Sequence, residues 1–479
     1  MKSFDFDLDA EERSTLLKEL VARLEAYYQN TSTFSTSPEL NIQEIRSFIS
    51  NPNLANGLSK IEALEKVTAG LEKYAVHTPH PKYFGLYNPR ANYAGILADF
   101  ITATYNPQMA AWSHAPFAAE VEQYVIHEFG KRFGFRDDSI DGVFCTGGAE
   151  ANLSAILCAL NNRYEIFADE GVLGLKKRPV IFCSEEAHHS IHKAARVAGL
   201  GSASVVDVPV NEALTMNQEA LKRLINERKL SNEDPAILVA TGGTTGQGVI
   251  DDLKTLSDIA KEHEMWFHVD AAFGGGSILS DRHQHLLAGI EKADSITFDA
   301  HKWMSLPMGT SMLITSSKEI LSKTFRIATA YMPKDAGELT INDPFAHSIQ
   351  WSRRFNGLKV YLALLFYGWE GYQNAIDHHM KMGQKLNSLL EESGWSILNP
   401  TPLPVTCFTD SALKKDIDFV PTVLRNILAK KASWISQYPV NGINCFRACI
   451  TNYNTQEEDL RALVDELNLE RQRYKTECI

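Results

Sequence analysis

The sequence is short of several things, and each shortage excludes something. No run of about 18 consecutive apolar residues occurs, so no membrane-spanning helix is expected. The seven cysteines, Cys145, Cys158, Cys183, Cys407, Cys445, Cys449 and Cys478, are scattered, with no Cys-x-x-Cys pair. The usual zinc sets are thereby excluded, and reduced thiols in a cytoplasmic protein are expected. Positive charge is in deficit: 47 lysines and arginines face 59 acids, for a net charge of −12. Nucleic acid and anionic membranes need a basic face and are disfavoured as main partners. A small anionic ligand is not excluded, because local charge decides that. The opening stretch, MKSFDFDLDAEERSTLLKEL, is acidic and has no apolar run, so no secretory signal is expected there. Internal repeats, low-complexity tracts and a G-x-x-x-x-G-K-[ST] phosphate loop are all missing.

What is present is ordinary in bulk and particular in detail. A chain of 479 residues, 44% apolar and 22% charged, suits a globular protein of two or three domains. ERSTLLKELVARLEAYY places Leu16, Leu17, Leu20, Val21, Leu24 and Tyr27 on one helical face. A plain surface helix and a helix packed on a partner subunit both fit that face. From about Gly142, short apolar runs (GVFCT, PVIFCS, AILVAT, MWFHVD, SITFD, TSMLIT) alternate with helical stretches. Such runs have both faces buried, so an α/β domain with a mostly parallel sheet is expected. A long helix follows from near Arg354, and then shorter strand-like runs with helices between, a smaller α+β unit. The expected division is 1–75, 76–360 and 361–479, and a helix and a strand are expected between Asp270 and Lys302.

The unusual residues all follow the ends of predicted strands, where ligands bind in open α/β sheets. In TGGAEAN, two glycines before a helix offer backbone amides and a positive helix end to an anion. Taken alone, a simple glycine turn into a helix is the commoner reading. Asp270, closing WFHVD, needs a partner, either a protonated ring nitrogen of a ligand or the following turn. His268, two residues earlier on the same strand face, is placed to bond that carboxylate. In SEEAHHSIH, His188 and His192 stand four apart, but no third metal ligand is evident. A flat His188 suits stacking on an aromatic ring, or a structural role. Lys302, in DAHKW between two buried strands, loses hydration and becomes a nucleophilic amine suited to a Schiff base, unless it only snorkels to water. An anion cradle, an acid for a ring nitrogen, a stacking imidazole and a Schiff-base lysine together describe pyridoxal 5′-phosphate.

At these residues the chain resembles the pyridoxal-phosphate-dependent amino acid decarboxylases of the aromatic-amino-acid and glutamate decarboxylase family, often called group II. TGGAEAN, SEEAHHS, ATGGTTGQGVIDD, FHVDAAFGG, DAHKW and WSRRFNGLK carry the resemblance. It extends upstream through HPKYFGLYNPRANYAGILADFITATYNPQMAAWSHAPFAAEVE and spans essentially the whole chain. It implies fold type I: a large domain with a mostly parallel sheet, a small C-terminal α+β domain, and an N-terminal helical segment on the partner subunit. It implies a homodimer with active sites at the interface. Lys302 would be the Schiff-base lysine, Asp270 the partner of the pyridine nitrogen and His188 the stacking ring. Gly148 and Ala149 would hold the phosphate through their amides, with Thr245 and His301 nearby. Two positions depart from the pattern. Asp299 stands where aromatic members have asparagine, so it is expected either to turn away from the phosphate or to take a hydrogen bond from elsewhere. Ala149 stands where serine is common. Tyr331 matches the loop tyrosine that protonates the intermediate. The implied reaction is α-decarboxylation of an L-amino acid to its amine. The alternatives are a decarboxylation-dependent aldehyde synthase, another fold type I enzyme, or a dimeric homologue without catalysis. Leu86 and Tyr87 suggest an apolar substrate wall, whereas Arg90 suggests an acidic side chain, and the choice between them stays open.

Overall fold

In a computed structural model, residues 6–52, 54–327 and 341–478 are described. Each apolar run in the middle of the chain is a strand: β1 Asp141–Cys145, β2 Pro179–Ser184, β3 Val205–Val208, β4 Asp234–Thr241, β5 Trp266–Asp270, β6 Ser295–Phe298 and β7 Ser311–Thr315. They form one sheet in the order β1-β7-β6-β5-β4-β2-β3. Pairings from β3 through β6 are parallel, and β7 runs antiparallel to both its neighbours. Every residue of β1, β2, β5, β6 and β7 is buried. Successive side chains point to opposite faces, which is why the runs read as continuously apolar. Phe182, Leu238, Phe267, Ile296 and Met312 pack on one face, and Ile181, Ile237, Val239 and Leu313 on the other.

The connection from Asp270 to Lys302 is tighter than the sequence suggests. Three 3₁₀ turns, Gly274–Leu279, Gln284–Leu287 and Ile290–Lys292, replace the expected α-helix before β6. Glycine makes this close passage possible: a Cβ on Gly274 would stand 2.1 Å from the Gly242 carbonyl oxygen. The long helix runs over Gly357–Glu392, with a break in helical geometry at Gly368, where φ is +62°. Beyond it lie β8 Ser396–Ile397, β9 Val405–Thr409, β10 Ser436–Val440 and β11 Ile443–Cys449, a four-stranded antiparallel sheet ordered β10-β11-β9-β8. Trp395, Phe408, Phe419 and Phe446 form its core, an α+β unit as expected.

At the other end, the helix Ala10–Asn30 opens with a capping box: the Asp9 carboxylate accepts from the Glu12 amide at 2.9 Å. No residue of this helix is buried, and Leu17, Val21 and Leu24 are exposed. Among the described residues its apolar face is therefore only partly covered, with Leu16, Leu20 and Tyr27 half-buried. Cys145, Cys158, Cys183, Cys407, Cys445 and Cys449 are free and buried. Among the described residues no helix is long and apolar enough to cross a membrane.

Candidate active site

The carboxyl ends of β4, β5 and β6 open on a cavity of about 230 Å³, lined among others by Tyr87, Gly148, Ala149, Asn152, His188, Thr245, Asp270, Asp299 and Lys302. Residues separated by up to 215 positions, from Tyr87 to Lys302, thus share one crevice because the sheet gathers its strand ends.

Lys302 lies on the one-turn helix Ala300–Trp303, not in an open turn. Its Nζ is 3.0 Å from Asp299 Oδ2. Asp299 does not turn away from the cradle: a Cβ on Gly148 would meet Asp299 Oδ2 at 3.0 Å. It also takes a short hydrogen bond from the Ser311 hydroxyl, the second of the two expected arrangements. The helix Gly148–Arg163 begins at the cradle itself. Among the described residues, no acceptor takes the Gly148 and Ala149 amides, two of the unsatisfied donors at a helix start. Thr245 lines the rim, and its carbonyl accepts from the Tyr87 hydroxyl at 3.1 Å. His301 is set back from the cavity wall. Its Nδ1 donates to the Thr310 carbonyl at 2.9 Å, and its Nε2 is 3.7 Å from Asp299 Oδ2.

Asp270 is buried at the end of β5 and accepts from Asn152 Nδ2 at 2.9 Å and from the Ala272 amide at 3.2 Å. His268 does not bond it. Two residues along a strand span nearly 7 Å, and His268 Nε2 instead donates to Asn152 Oδ1 at 3.0 Å. His188 sits in the turn before the helix Ser190–Val197, so its spacing of four from His192 is not a spacing along one helix. Burial pushes the His188 imidazole below its ordinary pKa, towards the neutral ring. His192 turns elsewhere and bonds Asp207 at 2.9 Å. Arg90 is also turned away. Its guanidinium lies 3.7 Å from the centroid of the Tyr28 ring and donates to the Tyr28 carbonyl at 2.8 Å. Tyr87 does face the cavity, whereas Leu86 is 53% exposed. Tyr331 lies outside the described residues.

Two residues escaped the sequence reading. Asn152 is one, and its signal was a polar side chain one helical turn beyond Gly148, on the cradle's side. Arg447 is the other, a lone arginine inside the apolar strand β11. It is buried and donates to the carbonyls of Gly85 (2.8 Å), Gly246 (2.7 Å) and Thr245 (2.7 Å), and its Cζ is 4.9 Å from the Tyr87 ring centroid. Among the described residues no carboxylate pairs with it. Its charge therefore stands unneutralised beside the cavity. The Tyr87 ring in turn stacks on Phe273 at 4.0 Å, and Phe273 on Trp303 at 4.9 Å.

These groups fit pyridoxal phosphate. Free amides at a helix start suit its phosphate, a buried carboxylate suits its ring nitrogen, and an amine suits its aldehyde. The class this fold and site define is thus a pyridoxal-phosphate enzyme of fold type I. The family model for the pyridoxal-dependent decarboxylase conserved domain matches residues 55–410, and the chain belongs to that family. It is 32% identical over 374 residues to the L-aspartate decarboxylase dtxS4 of Metarhizium robertsii, covering 78% of this chain and 74% of that one. It is 28% identical over 416 residues to the aromatic-L-amino-acid decarboxylase of Bacillus atrophaeus, covering 85% and 83%. The crystal structure of mouse CSAD superposes with a TM-score of 0.90 at 26% identity, covering 97% of this chain and 100% of that one. That of Oryza sativa TDC with PLP and tryptamine reaches 0.92 at 20% identity, covering 98% and 99%, a likeness of fold. The protein is a pyridoxal 5′-phosphate-dependent amino acid decarboxylase, which converts an amino acid to its amine with release of CO2.

Proposed function

We propose that the protein α-decarboxylates an L-amino acid in the cavity at Lys302, working as a homodimer in the cytoplasm. The observation that carries this reading is the convergence of the Lys302 amine, the Asp270 carboxylate and the Gly148 and Ala149 amides on one cavity. When bound, pyridoxal phosphate supplies the electron sink for the pair released from the Cα–carboxylate bond. Lys302 would anchor the cofactor through its amine. The Gly148 and Ala149 amides, with Thr245 at the rim and His301 behind, hold the phosphate end, and Asp299 stays beside the Lys302 amine. Asp270 pairs with the ring nitrogen and keeps its proton there, which deepens the sink. His188 lies on the ring face. Arg447, a buried cation without a carboxylate partner among the described residues, draws a substrate carboxylate towards Tyr87. Tyr331 delivers the proton to the α-carbon.

The dimer is supported by apolar surface that no described residue covers. Tyr93, Ile96, Phe100, Ile101 and Tyr105 of the helix Tyr93–Tyr105 are exposed, as are Leu17, Val21 and Leu24 of the first helix. In this reading segment 1–75 packs on the partner subunit, 76–360 carries the cofactor and 361–479 is the small domain. The test is a panel of aromatic, acidic and diamino L-amino acids, each assayed for CO2 and amine with the purified protein and with Lys302→Ala.

A further inference from the structure

Asp270 and His188 are joined at the cavity wall by one buried amide. Asn152 is 1% exposed. Its Nδ2 is 2.9 Å from Asp270 Oδ2 and 2.8 Å from Ser190 Oγ. Its Oδ1 is 3.0 Å from His268 Nε2 and 2.7 Å from Thr297 Oγ1.

The direction of each bond follows from what each group can do. An indole N–H only donates, so Trp266 Nε1 gives its hydrogen to Ser295 Oγ at 2.8 Å. The Asp270 carboxylate only accepts, so Asn152 turns Nδ2 to it and Oδ1 to His268, whose Nε2 must donate; a neutral His268 then accepts at Nδ1 from the Ser295 hydroxyl, also at 2.8 Å. Burial holds His268 neutral, with its pKa lowered to about 4. Its one ring hydrogen is therefore on Nε2 and points at Asn152 Oδ1. Thr297 donates to the same oxygen, which fixes the amide orientation and turns both Nδ2 hydrogens towards the cavity side. One goes to Asp270 and the other to Ser190 Oγ. The Ser190 hydroxyl is left to donate to His188 Nδ1 at 2.8 Å, and the Ser190 backbone amide donates there too at 3.2 Å. With Nδ1 engaged as an acceptor, neutral His188 carries its hydrogen on Nε2.

We propose that Asn152 is a positioning residue that sets the Asp270 carboxylate and the His188 tautomer together, so that His188 presents an Nε2–H donor to the cavity. This rests on the reading of Asp270 and His188 as the cofactor's partners. It also gives the two a common dependence. A ring nitrogen partner and a ring-face partner, contributed by different segments, are held by the two hydrogens of one amide.

Three variants of the full-length holoenzyme test the link. Equilibrium dialysis against graded pyridoxal phosphate, read at the visible band of the bound cofactor, reports affinity. The pH profile of kcat/KM reports His188. Asn152→Leu removes both branches: cofactor affinity should weaken about tenfold, and kcat/KM should fall roughly 10–100-fold, as when an orienting partner is lost. Its acid limb should move to higher pH, because Nδ1, no longer receiving a hydrogen backed by Asn152, takes a proton more readily. Ser190→Ala cuts only the His188 branch. It should move the acid limb the same way while leaving affinity within about twofold, since the other groups around the ring, Asp270, Lys302, Asp299 and His189, are unchanged. A purely structural asparagine would move neither affinity nor the limb in a folded variant. If Asn152→Leu does not fold, the Ser190→Ala limb alone decides the His188 branch: a limb at the parental pH overturns it. Asp270→Asn separates the two claims. Weakened affinity in Asp270→Asn with parental affinity in Asn152→Leu refutes the link and spares the reading of Asp270. Parental affinity together with parental kcat in Asp270→Asn refutes that reading itself.

Discussion

Replacing Asp270 by asparagine changes one charge and almost no volume, which makes it a clean probe of the ring-nitrogen contact. The carboxylate is buried at the end of β5, held by Asn152 Nδ2 at 2.9 Å and the Ala272 amide at 3.2 Å. Those two donors leave acceptor capacity facing the cavity. A charge-assisted hydrogen bond to a protonated ring nitrogen is worth about 1.5–3 kcal/mol, whereas an amide oxygen there makes only a neutral bond of about 1 kcal/mol. The loss of about 0.5–2 kcal/mol corresponds to roughly 2–30-fold in cofactor affinity. Catalysis should suffer more, because the ring nitrogen's proton deepens the sink only while it is held: kcat should fall by at least about 100-fold. Equilibrium dialysis and single-turnover CO2 release measure the two effects separately. A variant with both parental affinity and parental kcat would show that Asp270 merely closes the turn before Ala272.

Arg447→Lys keeps the charge but loses the planar fork that reaches three carbonyls, so KM should rise roughly tenfold with a smaller change in kcat; initial-rate kinetics with the preferred substrate check it. Tyr331→Phe should retain CO2 release but shift the product from amine towards aldehyde, with consumption of oxygen and release of ammonia and hydrogen peroxide; an unchanged amine yield would remove Tyr331 from the proton-delivery role. Acid should destabilise the fold through His268 and His379, whose burial lowers their pKa to about 4 and about 3. Unfolded, both take protons near pH 6.5, so stability is full above that pH and is lost as pH falls towards 4, by about 3 kcal/mol for His268 alone. Urea midpoints at pH 7 and pH 4.5 check the sign; equal midpoints would contradict it.

Much of this was legible in the chain. The strands of the large sheet announce themselves as apolar runs because both sheet faces are covered, and the strand-end residues follow because a parallel sheet gathers its carboxyl ends. What escaped did so for physical reasons. A carboxylate and a histidine two residues apart on one strand face look like partners in sequence, yet the strand's rise separates His268 from Asp270 and Asn152 fills the gap. The His188–His192 spacing presupposes a helix that begins only at Ser190. The turns between Phe273 and β6 replaced a helix because Gly274 passes against the Gly242 carbonyl, a contact no periodicity reveals. Arg447 was visible as a charge in an apolar strand, but its place beside Tyr87 depends on how β11 packs against a segment more than 350 positions earlier. Arg90, adjacent to Tyr87's loop in sequence, points to Tyr28 because the N-terminal helix offers it an aromatic face and a carbonyl.

The most direct test of the central claim is stoichiometric CO2 and amine release from a panel of L-amino acids, run in parallel on the holoenzyme and on Lys302→Ala. The account predicts equal amounts of CO2 and amine from at least one L-amino acid with the parent protein. With Lys302→Ala it predicts loss of turnover, the cofactor being retained only weakly through its phosphate. Parental turnover in the variant, or no CO2 from any L-amino acid with the cofactor-loaded parent, would contradict it.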